Sequence, residues 1–157
     1  MSNIVVGQPL PEFEIVKGGV ATPEGAFEAW GSDELVGKAT YFVANAGHAE
    51  ANDMHQETSL KVHAAGDIRM CRLINAKDAP MGASMFIKGE FKKGAEGDPA
   101  NLYVMDSKGI VAKALGMQKK SSVLAILDAE GTVVFTHEGA VDTDTETKIM
   151  DAIADVK

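Results

Sequence analysis

A run of apolar, aromatic and β-branched residues, Lys38-Ala-Thr-Tyr-Phe-Val-Ala44, passes at Asn45-Ala-Gly47 into the alanine-rich stretch His48-Ala-Glu-Ala-Asn-Asp53. The first part suits a buried strand, and the second suits the N-terminus of a helix. A buried strand feeding a helix across a tight loop is an α/β signature. It also marks where chemistry would sit, because strand ends and helix N-termini leave backbone N–H groups pointing outward.

The rest of the chain repeats the alternation. The first helix is expected over Ala49–Ala65, with Ala51, Met54, Thr58, Val62 and Ala65 on its apolar stripe and Gly66 as its stop. Ile68–Ile74 reads as the next strand and Asn75–Pro80 as a loop. Met81–Phe91 reads as a helix, and the Gly-rich Lys92–Pro99 as a mobile loop. Leu102–Met105 is a strand closed by the Asp106-Ser-Lys-Gly109 turn, and Ile110–Leu115 a short helix. Val123–Leu127 and Thr132–Thr136 flank Asp128-Ala-Glu-Gly131 as an antiparallel hairpin. A terminal amphipathic helix follows, with Thr143 and Glu146 as a capping box and Ile149, Met150, Ile153 and Val156 on its buried face.

Before the junction lie an irregular lead-in, Val6–Pro11, and short strands suggested by Phe13, Ile15 and Val20 around a Gly18-Gly19 turn. Phe27–Trp30 is another short strand, and a turn from Ser32 ends at Gly37. Residues 1–37 thus form a small antiparallel β extension. The order β-α-β-α-β-α-β-β-α implies a central mixed sheet covered by helices on both faces. At 157 residues the chain reads as one domain, residues 1–157.

The net charge of −8 argues against nucleic acid, which calls for a basic stripe, and against an anionic membrane surface. No apolar run approaches the ~20 residues of a membrane span. Met1–Pro9 has no charged n-region and no long apolar core, so it does not read as a signal peptide. The lone Cys71 excludes an intramolecular disulfide and any Cys-x-x-Cys site.

From Lys38–Ala44 through Leu102–Met117 to Val123–Val134, the chain resembles thioredoxin-like proteins of the TlpA or peroxiredoxin type. More closely it resembles the YtfJ family of Gram-negative bacteria. The resemblance is carried by Gly7-Gln-Pro-Leu-Pro11, Trp30-Gly-Ser32, Leu35-Val-Gly-Lys38, Ala46-Gly47, Ile74-Asn-Ala-Lys-Asp-Ala79, Gly82-Ala-Ser-Met-Phe86, Ser121-Ser122, Leu127-Asp128 and Gly139-Ala140. It implies a thioredoxin-like fold, no known function, and a periplasmic address with the signal peptide removed or absent; a cytoplasmic address is the alternative.

In redox members of that fold, the loop after the first central strand supplies Cys-x-x-Cys, and a cis-proline precedes the strand that here begins near Val123. This chain has Asn45-Ala-Gly-His-Ala-Glu50 and Ser121-Ser122 in those places, so a trans Ser121–Ser122 peptide is expected. The expected function is a non-redox binding or interaction module. Its candidate site is Asn45, Gly47, His48, Glu50, Ser121 and Ser122, with an unknown protein or a small anionic ligand as partner. Asn45, His48, Ser121 and Ser122 would ring a polar hollow at a helix N-terminus, with Tyr41, Met85 and Phe86 as an apolar rim. The rival readings are a thiol-independent enzyme using His48 with Asn45 or Glu50, and a one-cysteine redox protein using Cys71. Cys71 lies mid-strand, which suits a buried, inert thiol.

His48 and His55 are two helical turns, about 10 Å, apart, too far to hold one ion from one straight helix. His48, His55 and His63 therefore read as a solvated helix face, and no metal or cofactor is expected. No Gly-x-Ser-x-Gly, P-loop or EF-hand pattern is present.

Overall fold

The computed structural model describes residues 2–46, 49–66, 68–78 and 82–157, without the side chains of 49, 52, 78 and 84. In chain order the strands are β1 (Glu14–Ala21), β2 (Phe27–Gly31), β3 (Thr40–Asn45), β4 (Arg69–Asn75), β5 (Leu102–Asp106), β6 (Ser122–Leu127) and β7 (Val133–Glu138). The helices are α1 (Ala49–Ala65), α2 (Ala83–Gly97), α3 (Ile110–Leu115) and α4 (Thr143–Val156). Short 3-10 turns cover Ser32–Leu35 and Ala76–Asp78.

Among the described residues the strands form one sheet in the order β2-β1-β5-β4-β3-β6-β7. β3, β4 and β5 are parallel, and each strand beyond them joins its neighbour antiparallel. This is the expected mixed sheet. Its centre is largely apolar because helices cover most of both faces; Arg72, in the middle of β4, is exposed. Phe42, Ala44, Cys71, Leu73 and Val104 face α3 and the N-terminal segment. Tyr41, Val43, Met70, Leu124 and Ile126 face α1 and α4. Tyr103 and Met105 meet Ile87, Phe91 and Ala95 of α2.

The N-terminal extension is part of this sheet. Gly18 and Gly19 make no turn between two strands; β1 runs unbroken through them, and both pair with β5. The register of β1 against β2 shifts between Ile15 and Val20, the mark of a bulge. Both glycines have φ near +100°, and a Cβ on either would run into a neighbouring backbone carbonyl, that of Met105 or of Glu28. Only glycine allows the two strands on either side to close up there. The lead-in is also anchored: Gly7 N–H donates to the Val133 carbonyl at 2.8 Å, and Val133 N–H to that of Gln8 at 2.9 Å.

Two further expectations are corrected. The stretch expected as a mobile loop, Lys92–Pro99, is largely helix, because α2 continues to Gly97. Phe91 and Ala95 continue its buried face, and Gly94 lets the helix lie on the Tyr103 ring, where a Cβ would come within 2.7 Å. At α4 the cap is Asp142, not Thr143: its side chain accepts from the Thr145 N–H at 2.8 Å. A carboxylate one residue earlier satisfies the same orphan donors and adds a favourable charge at the helix N-terminus. Ile149 and Ile153 are buried on α4 as expected. The Met81 end expected for the second helix lies outside the described residues.

Two glycine replacements should move stability in opposite directions. Gly19→Ala should cost about 2 kcal/mol or more, from backbone strain plus the carbonyl clash. Gly89→Ala, exposed in α2 with open space at its Cβ, should stabilise by about 0.5–1 kcal/mol. Urea unfolding of both variants measures this.

Candidate functional site

β3 and β6 pair in register with Asn45 opposite Ser122, so the strand end before α1 and the start of β6 meet as expected. The Ala46 N–H donates to the Ser121 carbonyl at 3.1 Å and closes this corner. The Ser121–Ser122 peptide is trans. Both serines are buried rather than open to a hollow, Ser122 completely. Asn45 is half-buried, and Glu50 is exposed on the first turn of α1. Gly47 and His48 lie outside the described residues. Of the expected apolar rim, Tyr41 is fully buried, while Met85 and Phe86 are exposed on α2.

His55 occupies the corner instead. It was expected on a solvated face and is 2 % exposed. Among the described side chains of α1 the buried ones are Ala51, His55, Thr58 and Val62, a regular i, i+4, i+7, i+11 stripe, whereas Ala65 is exposed. That spacing was present in the sequence, but a polar residue stands at its second position. His55 Nε2 lies 2.7 Å from the Gly139 carbonyl, and Nδ1 lies 3.0 Å from Ser122 Oγ. A carbonyl can only accept, so Nε2 carries the proton, Nδ1 accepts, and the Ser122 hydroxyl donates to it. The Ala44 carbonyl, 3.3 Å away, is a second acceptor for the same hydroxyl. Burial pushes the His55 pKa down to about 4, the Gly139 contact opposes this, and His137 adds slightly to it. The imidazole is thus neutral at physiological pH and ties α1 to β6 and to the end of β7.

From this corner a groove of about 220 Å³ runs over β4 beside α1. Val43, Met70, Arg72 and Tyr103 floor it. Gln56, Ser59, Leu60 and His63 wall it from α1; Asn45, His55 and Ser122 close one end, and Asn101 belongs to the other. At that far end Asp98 accepts three hydrogen bonds on one oxygen, from Asn101 at 2.7 Å and from His63 and Tyr103 at 2.9 Å. Burial works to raise the Asp98 pKa, but these donors together hold it below the usual carboxylate range. Tyr41 Oη pairs with Ser59 Oγ at 3.1 Å and fixes the middle of α1 to the sheet.

Of the residues expected around a hollow at the helix N-terminus, Asn45 and Ser122 border one end of this groove, whereas His55, Arg72 and Tyr103 were not expected to form a site. Arg72 was legible as a charge inside an apolar strand, but not as a groove residue. Cys71, its neighbour, points to the other face, is fully buried, and has its thiol pKa pushed up by burial, with only a small opposing effect from Arg69. Among the described residues no three His, Cys, Asp or Glu side chains are placed to hold one metal ion.

The model of a family described as "Bacterial protein of unknown function (YtfJ_HI0045)" matches residues 4–156. An uncharacterized protein of Haemophilus influenzae is 33 % identical over 155 residues, which cover 94 % of this chain and 84 % of the relative. Among solved structures, the reduced 2-Cys peroxiredoxin of Plasmodium vivax superposes with a TM-score of 0.62 at 15 % identity, covering 96 % of both chains. The exposed lipoprotein thioredoxin Etrx1 of Streptococcus pneumoniae gives 0.56 at 18 % identity, covering 92 % of this chain and 98 % of that one. At these identities the likeness establishes the thioredoxin-like fold.

The depressed His55 pKa makes stability pH-dependent. Below pH 6.5 the unfolded chain takes up a proton that folded His55 refuses until about pH 4. The stabilisation is therefore complete above pH 6.5 and is lost as the pH falls toward 4, by up to about 3 kcal/mol. Urea unfolding across this window should show a shallower pH slope in His55→Gln, by up to one proton.

Proposed function

This chain belongs to the YtfJ_HI0045 family of bacterial proteins, and we propose that it is a thiol-independent binding module whose site is the groove over β4. The observation that carries the reading is the groove itself. It is open, walled by a helix that buried hydrogen bonds hold in place, and lined mainly by apolar surface with a few polar groups among it. Ligand sites have this composition: a few fixed polar groups orient a molecule whose body rests on apolar surface. The chain's one cysteine lies on the opposite face, fully buried. Burial holds its thiol protonated, and a protonated thiol is a poor nucleophile. That weighs against the one-cysteine redox reading.

The Ser122–His55 hydrogen bond favours a second reading, acyl transfer with Ser122 as nucleophile and His55 as base. The complete burial of Ser122 and the low basicity of His55 weigh against it. The rival catalytic pairing of His48 with Asn45 or Glu50 depends on a residue outside the described ones. A periplasmic address belongs to the same proposal, supported by the signal peptide usual in the family that the sequence resembles. Among the described residues no helix is long and apolar enough to cross a membrane.

Cys71→Ala should leave binding intact, and the wild-type protein should not accelerate dithiothreitol-driven reduction of insulin, because a single thiol cannot cycle a dithiol. Native mass spectrometry of protein purified from its own cell should show a small non-covalent adduct on both wild type and Cys71→Ala. Loss of the adduct with Cys71, or clear catalysis of insulin reduction, would overturn the proposal.

A further inference from the structure

Val43, Arg72 and Tyr103 stand side by side on neighbouring strands, since Val43 pairs with Arg72 and Arg72 with Tyr103. Arg72 therefore sits at the centre of the groove floor, on a strand whose other groove-facing residue there is the buried Met70. The two arginines of β4 are used differently. Arg69 donates from Nε and a terminal nitrogen to Thr40 Oγ1, at 3.1 and 3.0 Å. Among the described residues Arg72 makes no such bond and no carboxylate pairs with it. Asp98, the acid at the end of the groove, is already taken by Asn101, His63 and Tyr103. Arg72 itself lines the groove, beside Val43 and Tyr103.

A guanidinium presents a planar fork of donors that matches a carboxylate through two parallel hydrogen bonds. The groove, about 220 Å³, is larger than the ~150 Å³ apolar cavity that takes up benzene in an engineered protein. It has room for one ring or a short aliphatic body beside the charge, and Leu60 and Met70 supply apolar surface for it. A single cation on a chain of net charge −8 suits a monoanion better than a dianion. We propose that the groove over β4 seats a small organic carboxylate, with Arg72 taking the carboxylate group and the Leu60–Met70 surface taking the apolar body. This inference rests on the binding-module reading and moves the anion from the helix N-terminus to the sheet face.

The test titrates the ¹⁵N-labelled full chain with benzoate, benzamide and phenyl phosphate, following amide shifts. Benzoate should give saturable shifts at Leu60, Arg72 and Tyr103 and bind more tightly than the other two probes. Arg72→Gln should weaken benzoate about tenfold or more, to the level of benzamide on the wild type, and Arg72→Lys should recover part of the loss. Arg72 is exposed, and the unperturbed spectra of both variants away from the groove verify their folding. Equal binding of benzoate and benzamide, tighter binding of phenyl phosphate, or benzoate binding unchanged in Arg72→Gln would overturn the carboxylate seat while leaving the groove a binding site. If no probe shifts the groove, the seat and the binding-groove reading both fall.

Discussion

A neutral imidazole, hydrogen-bonded at both nitrogens, fixes the position of α1. His55 receives the Ser122 hydroxyl from the start of β6 and gives its own proton to the Gly139 carbonyl beyond β7. Each partner is separately anchored: Ser122 by its pairing with Asn45, and Gly139 by its N–H to the Ser122 carbonyl at 2.9 Å. An unpaired buried imidazole would cost about 1–3 kcal/mol, so the three elements are specified together rather than one at a time. Proton uptake would not break this network geometrically, since Ser122 could turn to the Ala44 carbonyl and accept from Nδ1. Desolvation opposes the charge instead, and the result is a pH-sensitive joint.

Once α1 is held over β3 and β6, the groove follows from spacing. α2 lies over β5 and its neighbour β1, tied through Phe91 and Tyr103 with ring centroids 5.7 Å apart. β4 runs between these two covered regions, and its middle residue on that face is an arginine instead of a core side chain. A buried apolar residue there would favour closure of the gap. Arg72 instead keeps a charged head in water while its stem covers apolar floor. The three donors on Asp98 join the ends of α1 and α2 to β5 and define the far limit of the groove.

The central sheet was legible because strands covered on both faces read as apolar runs, and helical patterns separate β3, β4, β5 and β6 along the chain. What was illegible depended on contacts between distant residues. Gly94 and Gly97, with Lys92, Lys93 and Pro99, gave Lys92–Pro99 the composition of a loop. The helix continues because Gly94 meets Tyr103, a pairing that no local propensity reports. Gly18-Gly19 is compatible with either a turn or a bulged strand, and only the arrival of β5 decides. His55 failed for a different reason: a histidine lowers the apparent amphipathicity of a stripe that is geometrically regular. Asn45 and Ser122 were found together because the fold itself brings those two strand ends into register.

Under the proposed function, chemistry at the strand-end corner and binding on the sheet face would make opposite demands on this arrangement. A nucleophile at the corner needs access and a basic partner. Ser122 has neither, because its hydroxyl is buried under α1 and burial leaves His55 weakly basic. Opening the corner to expose Ser122 would break the contact that positions the groove wall. Rigid placement of α1 is a gain for binding, since a wall that is already ordered loses little freedom when a ligand arrives. The same contacts that bury Ser122 thus also hold the α1 wall of the sheet-face groove in place.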